Sequence, residues 1–447
     1  MKETPRPTDL LQSDSTYATE LGAAYQGDSR SLLKELPDNC IDLIVTSPPF
    51  ALQHQKEYGN EDLEEYNDWF MSFADDARRV LQPHGSFVIE IGGAFQRGTP
   101  ERSTYQFDLL SRLTDQEEGE FKLAQDFYWF SPAKLPNPIE WVNVRKMRVT
   151  DAVTQIWWLA KDINKDPAYT DELQRKVELA QVVVEKMGPE VDREQLVAVV
   201  EAVLIGEAPD DDPDNCYTGE VQQLIETHVP SKTDEIDEVI RNSKKAPKAY
   251  TNEVLAAVEA GNSVPEPQPR PEANNQRVLQ EYSDSQKSLI ENGEYNDGKR
   301  PSGWDIDKES FANENGGAIP KNFIQASNTA SNTHYLQMCR EFDYEPHPAR
   351  FPRHLPEFFI NFLTPNPPYD DWDRGYLDRP IVLDLFAGSN LTGKVAEERD
   401  RYWLAFEEEE EYLETSQFRF LTEGQIRKGL QDDQEDLSRF VPVSANE

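Results

Sequence analysis

Residues 46–50 read Thr-Ser-Pro-Pro-Phe and follow directly on an apolar run, Ile41-Asp42-Leu43-Ile44-Val45. Proline has no N–H to give to a sheet ladder, so the pair must lie past the end of a strand, where neighbouring carbonyls stay unpaired. A serine hydroxyl, free carbonyl oxygens and a flat ring then share one spot, suited to receiving a ligand. A second stretch with chemical potential lies far downstream: VLDLFAGSNLTGKVAEE, residues 382–398, reads as a strand, a tight turn and a helix. Asp384 ends the strand; Gly388, Ser389 and Asn390 let the backbone approach a ligand, and the helix start offers free N–H groups. The next strand ends in Glu407, about twenty residues on, where doubly wound folds place an acidic side chain for ribose hydroxyls. The pattern is not GxGxxG and no Walker lysine motif occurs, so hydride transfer and ATP hydrolysis lose ground. Taken alone, the turn reads equally as a nucleoside site or as an ordinary glycine turn.

The elements that must carry these stretches alternate. Residues 22–160 contain a helix at 31–37, the strand at 41–45 and a helix over 62–81 with Leu63, Tyr66, Phe70, Phe73, Ala77 and Val80 on one face. A buried strand, GSFVIEIGG (85–93), and another within 148–161 follow. The alternation predicts an α/β fold, a doubly wound and mostly parallel sheet with helices on both faces. Residues 161–275 read as an acidic helical insertion, amphipathic over 165–262 and closed by a proline-rich linker at 264–275. Residues 276–345 are polar and rich in Asn, Gly and Ser, which suits a loop-rich recognition surface. Residues 346–425 return to α/β, with a helix near 355–363, strands at 381–386 and 401–407, and a final helix; 426–447 form an acidic tail.

The chain has 447 residues, 84 acidic against 45 basic, for a net charge of −39. With 8 Trp, 17 Tyr and 21 Phe it is too aromatic to be disordered. The acid is spread through almost every segment, which favours adaptation to a high-salt cytoplasm, where a carboxylate shell keeps a protein hydrated, over a device for repelling polyanions. Cys40, Cys216 and Cys339 are widely spaced and no Cys/His cluster has metal-ligand spacing, so ordinary thiols and no metal are expected. Neither a signal peptide nor a bilayer-length apolar run is evident, which points to a cytoplasmic protein without a membrane partner.

In combination the motifs are far more specific. TSPPF, preceded by Gly27-Asp28-Ser29 and followed by HPARFP (347–352) and DLFAGSN (384–390), resembles the DNA amino-methyltransferases. The order, catalytic motif first and cofactor motif last, is similar to their circularly permuted beta class. Ser47 in place of an aspartate before Pro-Pro is similar to the cytosine-N4 members. The likeness covers about 22–160 and 276–422 and leaves the helical insertion outside it. Two departures are Leu385-Phe386 where Pro-Phe is usual, and Asn390 where glycine is commoner.

The resemblance implies S-adenosylmethionine bound across the carboxyl ends of the strands and a methyl group passed to the amino nitrogen of a base flipped out of double-stranded DNA. Ser47 and the Pro48 carbonyl would accept the two amino hydrogens, favouring a tetrahedral nitrogen and its developing positive charge. Pro49 would shape the turn and Phe50 stack on the base. Phe386, Gly388 and Ser389 would approach the cofactor, with Asp384 and Asn390 of the same motif beside them. Glu407 would bind its ribose, Asp28 its adenine, and His347 and Arg350 would lie at its methionine end. Without the family, Asp28 reads as a cap for the helix beginning at Ser29, His347 as structural, and the run after Glu407 as a solvated helix start. Arg145, Lys146, Arg148, Lys299 and Arg300, with Ser302, are ordinary surface groups or, in so acidic a chain, the expected phosphate contacts. The expected function is a site-specific cytosine-N4 DNA methyltransferase, solitary or paired with a restriction endonuclease. The alternatives are an adenine-N6 DNA enzyme and a catalytically silent DNA-binding module.

Overall fold

Alternating apolar side chains, buried on both faces, shape the architecture in a computed structural model that describes residues 6–51, 65–96, 98–135, 139–162, 171–188, 190–205, 219–242, 248–264, 273–292, 298–299, 305–306, 316–328, 331–367 and 378–431. Strands β1 (Tyr17–Ala18) and β2 (Gly22–Gln26) lead through α1 (Ser29–Glu35) to β3 (Ile41–Thr46), α2 (Tyr66–Val80), β4 (Leu81–Ile91), α3 (Tyr105–Thr114), β5 (Lys122–Phe130) and β6 (Val153–Ala160). Helices α4 (Asp171–Met187), α5 (Arg193–Ile205), α6 (Gly219–His228), α7 (Thr233–Asn242), α8 (Lys248–Glu259) and α9 (Asp284–Asn292) follow. The chain continues with β7 (Gly298–Lys299), β8 (Asp305–Ile306), β9 (Phe323–Gln325), α10 (His334–Glu341), α11 (His354–Leu363), β10 (Ile381–Asp384), α12 (Leu391–Glu398), β11 (Tyr402–Glu407), α13 (Glu410–Ser416) and α14 (Glu423–Gln431).

The main sheet runs β1-β2-β11-β10-β3-β4-β6-β5-β9. Its middle, β2 to β4, is parallel throughout, so the late strands β10 and β11 lie between the early strands β2 and β3. Period-two alternation assigns each strand's residues to two cores. Phe87, Ile89, Leu383, Leu404 and Phe406 meet Leu33, Phe70, Phe73 and Leu109 of α1–α3 on one face. Val88, Val382, Trp403 and Ala405 meet Phe358, Phe359, Val395 and Leu413 of α11–α13 on the other. Asp42, 6% exposed within β3, is satisfied by the Ile381 N–H at 2.8 Å and by His84 at 3.1 Å. A doubly wound, mostly parallel sheet is therefore present.

The edge beyond β4 departs from the sequence reading. Lys122–Phe130 forms a strand that the pattern did not indicate, and β6 runs antiparallel to both β4 and β5. The β5–β6 connection, 131–152, returns over the same sheet end, which only antiparallel strands permit without a crossover. Phe323–Gln325, from the stretch expected to be loop-rich, adds the last strand beside β5.

Asn164–Arg270 forms a separate compact unit. Its core, including Val183, Val199, Val203, Ile225, Ile236, Ile240 and Val254, comes from α4–α8. Among the described residues no helix is long and apolar enough to cross a membrane, and no group of His, Cys, Asp and Glu could hold a metal. Cys40 and Cys339 are buried free thiols; Cys216 lies outside the described residues, as do 432–447 of the expected tail.

Candidate active site

β3 is buried from end to end, and its hydrogen-bonded course stops at Thr46 because two prolines follow Ser47. Pro48 is buried, while Ser47, Pro49 and Phe50 turn partly outward. Phe50 lies flat against the backbone of Gly92: a Cβ at that glycine would sit 2.3 Å from the ring, so β4 must end without a side chain there. Ser47 donates its hydroxyl proton to Glu90 Oε2 at 2.5 Å. Glu90 projects from β4, is 7% exposed, and is pushed up to about 7 by burial, an effect that the Ser47 hydrogen bond and nearby Lys134 oppose. Sequence reasoning passed over Glu90; the available signal was a carboxylate at an apolar strand's centre, which persists only with a partner or a task.

The second turn is fastened to the first through Asp384. Its Oδ1 accepts from Thr46 Oγ1 at 2.8 Å and from the Phe386 N–H at 3.2 Å, and its Oδ2 accepts from Thr392 Oγ1 at 2.7 Å. Burial raises it to about 6. Asp384 was expected at the cofactor; it lies beneath the cleft instead, joining the ends of β3 and β10 to the start of α12. Asn390 is likewise buried. Its φ is +48°, its Oδ1 caps α12 by accepting from Gly393 N–H at 3.0 Å, and its Nδ2 donates to Tyr17 at 2.9 Å. A side chain that tolerates the left-handed region and caps a helix explains why asparagine serves where glycine is commoner.

A cleft of about 1180 Å³ opens over both turns. Asp28, Ser47, Pro48, Pro49, Phe50, His347, Arg350, Phe386, Gly388, Ser389 and Glu407 all line it, so chain segments far apart in order share one cavity. Gly388 has φ +51° and stands against the His347 ring; its N–H donates to Glu407 Oε2 at 2.7 Å. Burial, with Asp384 nearby, brings Glu407 to about 7. Asp28 caps α1 through the Arg30 N–H at 2.8 Å and pairs with the Arg30 guanidinium, which holds its carboxyl below the usual range. Both readings of Asp28 are thus compatible: it is a cap and it borders the cleft. His347 hydrogen-bonds the Ala349 carbonyl, stacks edge-on to Tyr412 at 4.4 Å, and is lowered to about 4 by burial, so its ring is neutral. Arg350 donates to the His347 carbonyl.

Two further features escaped the sequence reading. Trp69 and Phe73 of α2 pack on Phe386 at 5.5 and 5.3 Å and give the cleft an aromatic corner. Arg419 is half-buried over the Tyr335 ring at 4.4 Å and donates to the Ser389 carbonyl and, at 2.7 Å, to Ser389 Oγ. In the sequence, its place in the turn between α13 and α14 looks like that of any surface arginine.

The expected DNA contacts divide. Arg145 is exposed, beside Glu140 at 2.8 Å and over Trp141, and Lys146 is exposed. Arg148 is a correction: its guanidinium faces inward, donating to the Pro100 carbonyl at 2.6 Å, pairing with Asp151 at 3.3 Å and lying over Phe95. Lys299 belongs to the short β7; Arg300 and Ser302 lie outside the described residues.

A doubly wound sheet with a hydroxyl–carboxylate pair and a glycine turn facing one cleft over its strand ends defines the nucleoside-cofactor transferase class. Comparison with known proteins agrees: a family model described as DNA methylase, of the N6/N4 methyltransferases, matches residues 41–418, and the chain belongs to this family. It is 38% identical over 423 residues to the Type II methyltransferase M.PvuII of Proteus hauseri, covering 94% of this chain and 90% of the relative. A shorter match, 33% over 99 residues, is to M.BamHI of Bacillus amyloliquefaciens, 22% of each chain. The solved structure of the PvuII cytosine-N4-specific DNA methyltransferase aligns at a TM-score of 0.56 and 31% identity over 96% of both chains.

Proposed function

We propose that the protein is a site-specific DNA methyltransferase that moves a methyl group from S-adenosylmethionine to the N4 amino group of a cytosine flipped out of double-stranded DNA. The observation that carries this reading is the Ser47–Glu90 pair facing the Gly388 turn across a single cleft. When bound, S-adenosylmethionine supplies an electrophilic methyl group on a sulfonium. The residues present fit it: the Phe386–Trp69–Phe73 corner for a flat adenine, Glu407 for ribose hydroxyls, and His347 and Arg350 for the methionine end.

A base amino group is a poor nucleophile because its lone pair is delocalised into the ring. Ser47 Oγ, as acceptor, draws one amino hydrogen and favours pyramidal nitrogen. After transfer the nitrogen carries a surplus proton; Ser47 can take it while releasing its own to Glu90, whose affinity near neutral pH suits that task. Phe50, held by Gly92, offers a face for stacking. The order of the two turns along the chain supports the circularly permuted class, and Ser47 supports cytosine over adenine. The Type II relatives support a restriction–modification setting in the cytoplasm, with or without a cognate endonuclease. The dispersed acidic surface supports a halophilic host.

Nucleoside digestion of enzyme-treated DNA followed by mass spectrometry tests the reading. N4-methylcytosine is expected, and N6-methyladenine alone would overturn it. Ser47→Ala is expected to abolish turnover and spare cofactor binding; unchanged turnover would favour a silent DNA-binding module.

A further inference from the structure

The connection 131–152 leaves β5 and enters β6 at the sheet end that carries the cleft. Most of its large aliphatic side chains point outward. Leu135 is 79% exposed, Ile139 63%, Met147 64% and Val149 83%. Single exposed aliphatics need no explanation, but several on one short segment mark a contact surface. On a molecule of net charge −39 the segment is also anomalous in sign, holding Lys134, Arg145, Lys146 and Arg148 against Glu140 and Asp151. It is braced: Arg148 reaches the Pro100 carbonyl at 2.6 Å, and the Met147 N–H reaches the Trp141 carbonyl at 2.9 Å.

A partner matching both properties presents anionic groups and flat apolar faces together, as the phosphates and bases of DNA do. Leu135 and Ile139 stand on the cleft wall shared with Ser47 and Glu90. A base leaving the stack for that cleft opens a gap beside its former partner, and an unfilled gap costs stacking on both sides. We propose that Leu135 and Ile139 are a wedge that enters the duplex at the target and occupies the space the flipped base vacates. Of the neighbouring cations, the exposed Arg145 and Lys146 hold the backbone alongside. This inference rests on the DNA methyltransferase reading and adds the residues that drive flipping.

The test compares wild type with L135A/I139A on two duplexes carrying the target site, first mapped by methylome sequencing. In one the target base is paired normally; in the other it faces an abasic position and leaves the stack easily. On the paired duplex the variant is expected to lose about tenfold or more in kcat/KM, since lost wedge contacts raise the flipping barrier directly. On the abasic duplex it is expected to recover to within roughly threefold of wild type. Equal loss on both duplexes, or no loss on either, overturns the wedge. Cofactor affinity and melting temperature report on folding; should the double variant melt early, L135A and I139A are run singly in the same comparison. A product that proves to be N6-methyladenine sinks the cytosine reading alone, because the abasic position is then placed opposite adenine and the wedge comparison stands.

Discussion

Glu90 illustrates how one residue's surroundings set its chemistry. Burial lifts its carboxyl from the ordinary 4.5 to about 7. The proton-accepting form therefore grows in as pH rises. Turnover under saturating cofactor is expected to climb about tenfold per pH unit below 7 and level off above it, and Glu90→Gln to flatten the profile and lower the plateau on the order of a hundredfold. Equal rates at pH 5.5 and pH 8 would exclude the role. Stability carries the same signature with opposite sense. The folded state holds this proton more tightly than the unfolded chain, so the contribution is complete below 4.5 and is lost as pH rises through about 7. Glu90→Gln should therefore raise the melting temperature at pH 8 and leave it nearly unchanged at pH 4.5. Arg419 acts on the cofactor side, by holding Ser389. Calorimetry on Arg419→Ala is expected to find cofactor binding weakened about tenfold, since a charge-assisted hydrogen bond and a half-buried cation stacked on Tyr335 are lost together. Undiminished affinity would assign Arg419 to packing alone.

At the scale of elements, the decisive device is the carboxylate of Asp384, which ties the end of β3 to the end of β10 and to the first turn of α12. Removing it strands two hydroxyl groups and an N–H in a buried place. Asp384→Ala should cost on the order of 2–4 kcal/mol, measured by denaturant unfolding, because each orphaned donor pays its own desolvation. It should also weaken both cofactor binding and turnover, whereas Ser47→Ala affects turnover alone. A variant that binds cofactor normally would show that the two turns do not need this link. The central parallel strands β3, β4, β10 and β11 were legible because each holds a short apolar run bounded by turn residues. β5 was not, since Lys122, Leu123, Gln125 and Tyr128 do not alternate cleanly and much of the strand is exposed beside the three-residue β9.

For the whole molecule, charge is the controlling variable. A surface of −39 repels DNA in dilute buffer, and added salt screens that repulsion within a few ångströms. The ordinary loss of affinity with salt, which follows from counterion release at basic contacts, is weak where so few basic groups are available. Methyl transfer across a potassium chloride series is expected to persist or rise toward molar salt. A monotonic fall from the lowest concentration would refute the halophilic reading. Screening should also raise the melting temperature by relieving self-repulsion.

Local chemistry was settled by the residues themselves. Two prolines must end a strand, Gly388 must sit in a tight turn, and Asp28 can cap the helix that begins at Ser29, because each of these depends on a few adjacent backbone angles and donors. The class of chemistry came from those short stretches and their order. Juxtaposition was decided only by the tertiary structure. It set β10 between β3 and β11, sank Asp384 and Asn390 beneath the cleft, turned Arg148 inward, and brought Glu90 and Arg419 to side chains far away in the chain. Burial and partner distance raise Glu90 and Glu407 and lower Arg419, and both quantities are sums over residues remote in sequence, which no local pattern encodes.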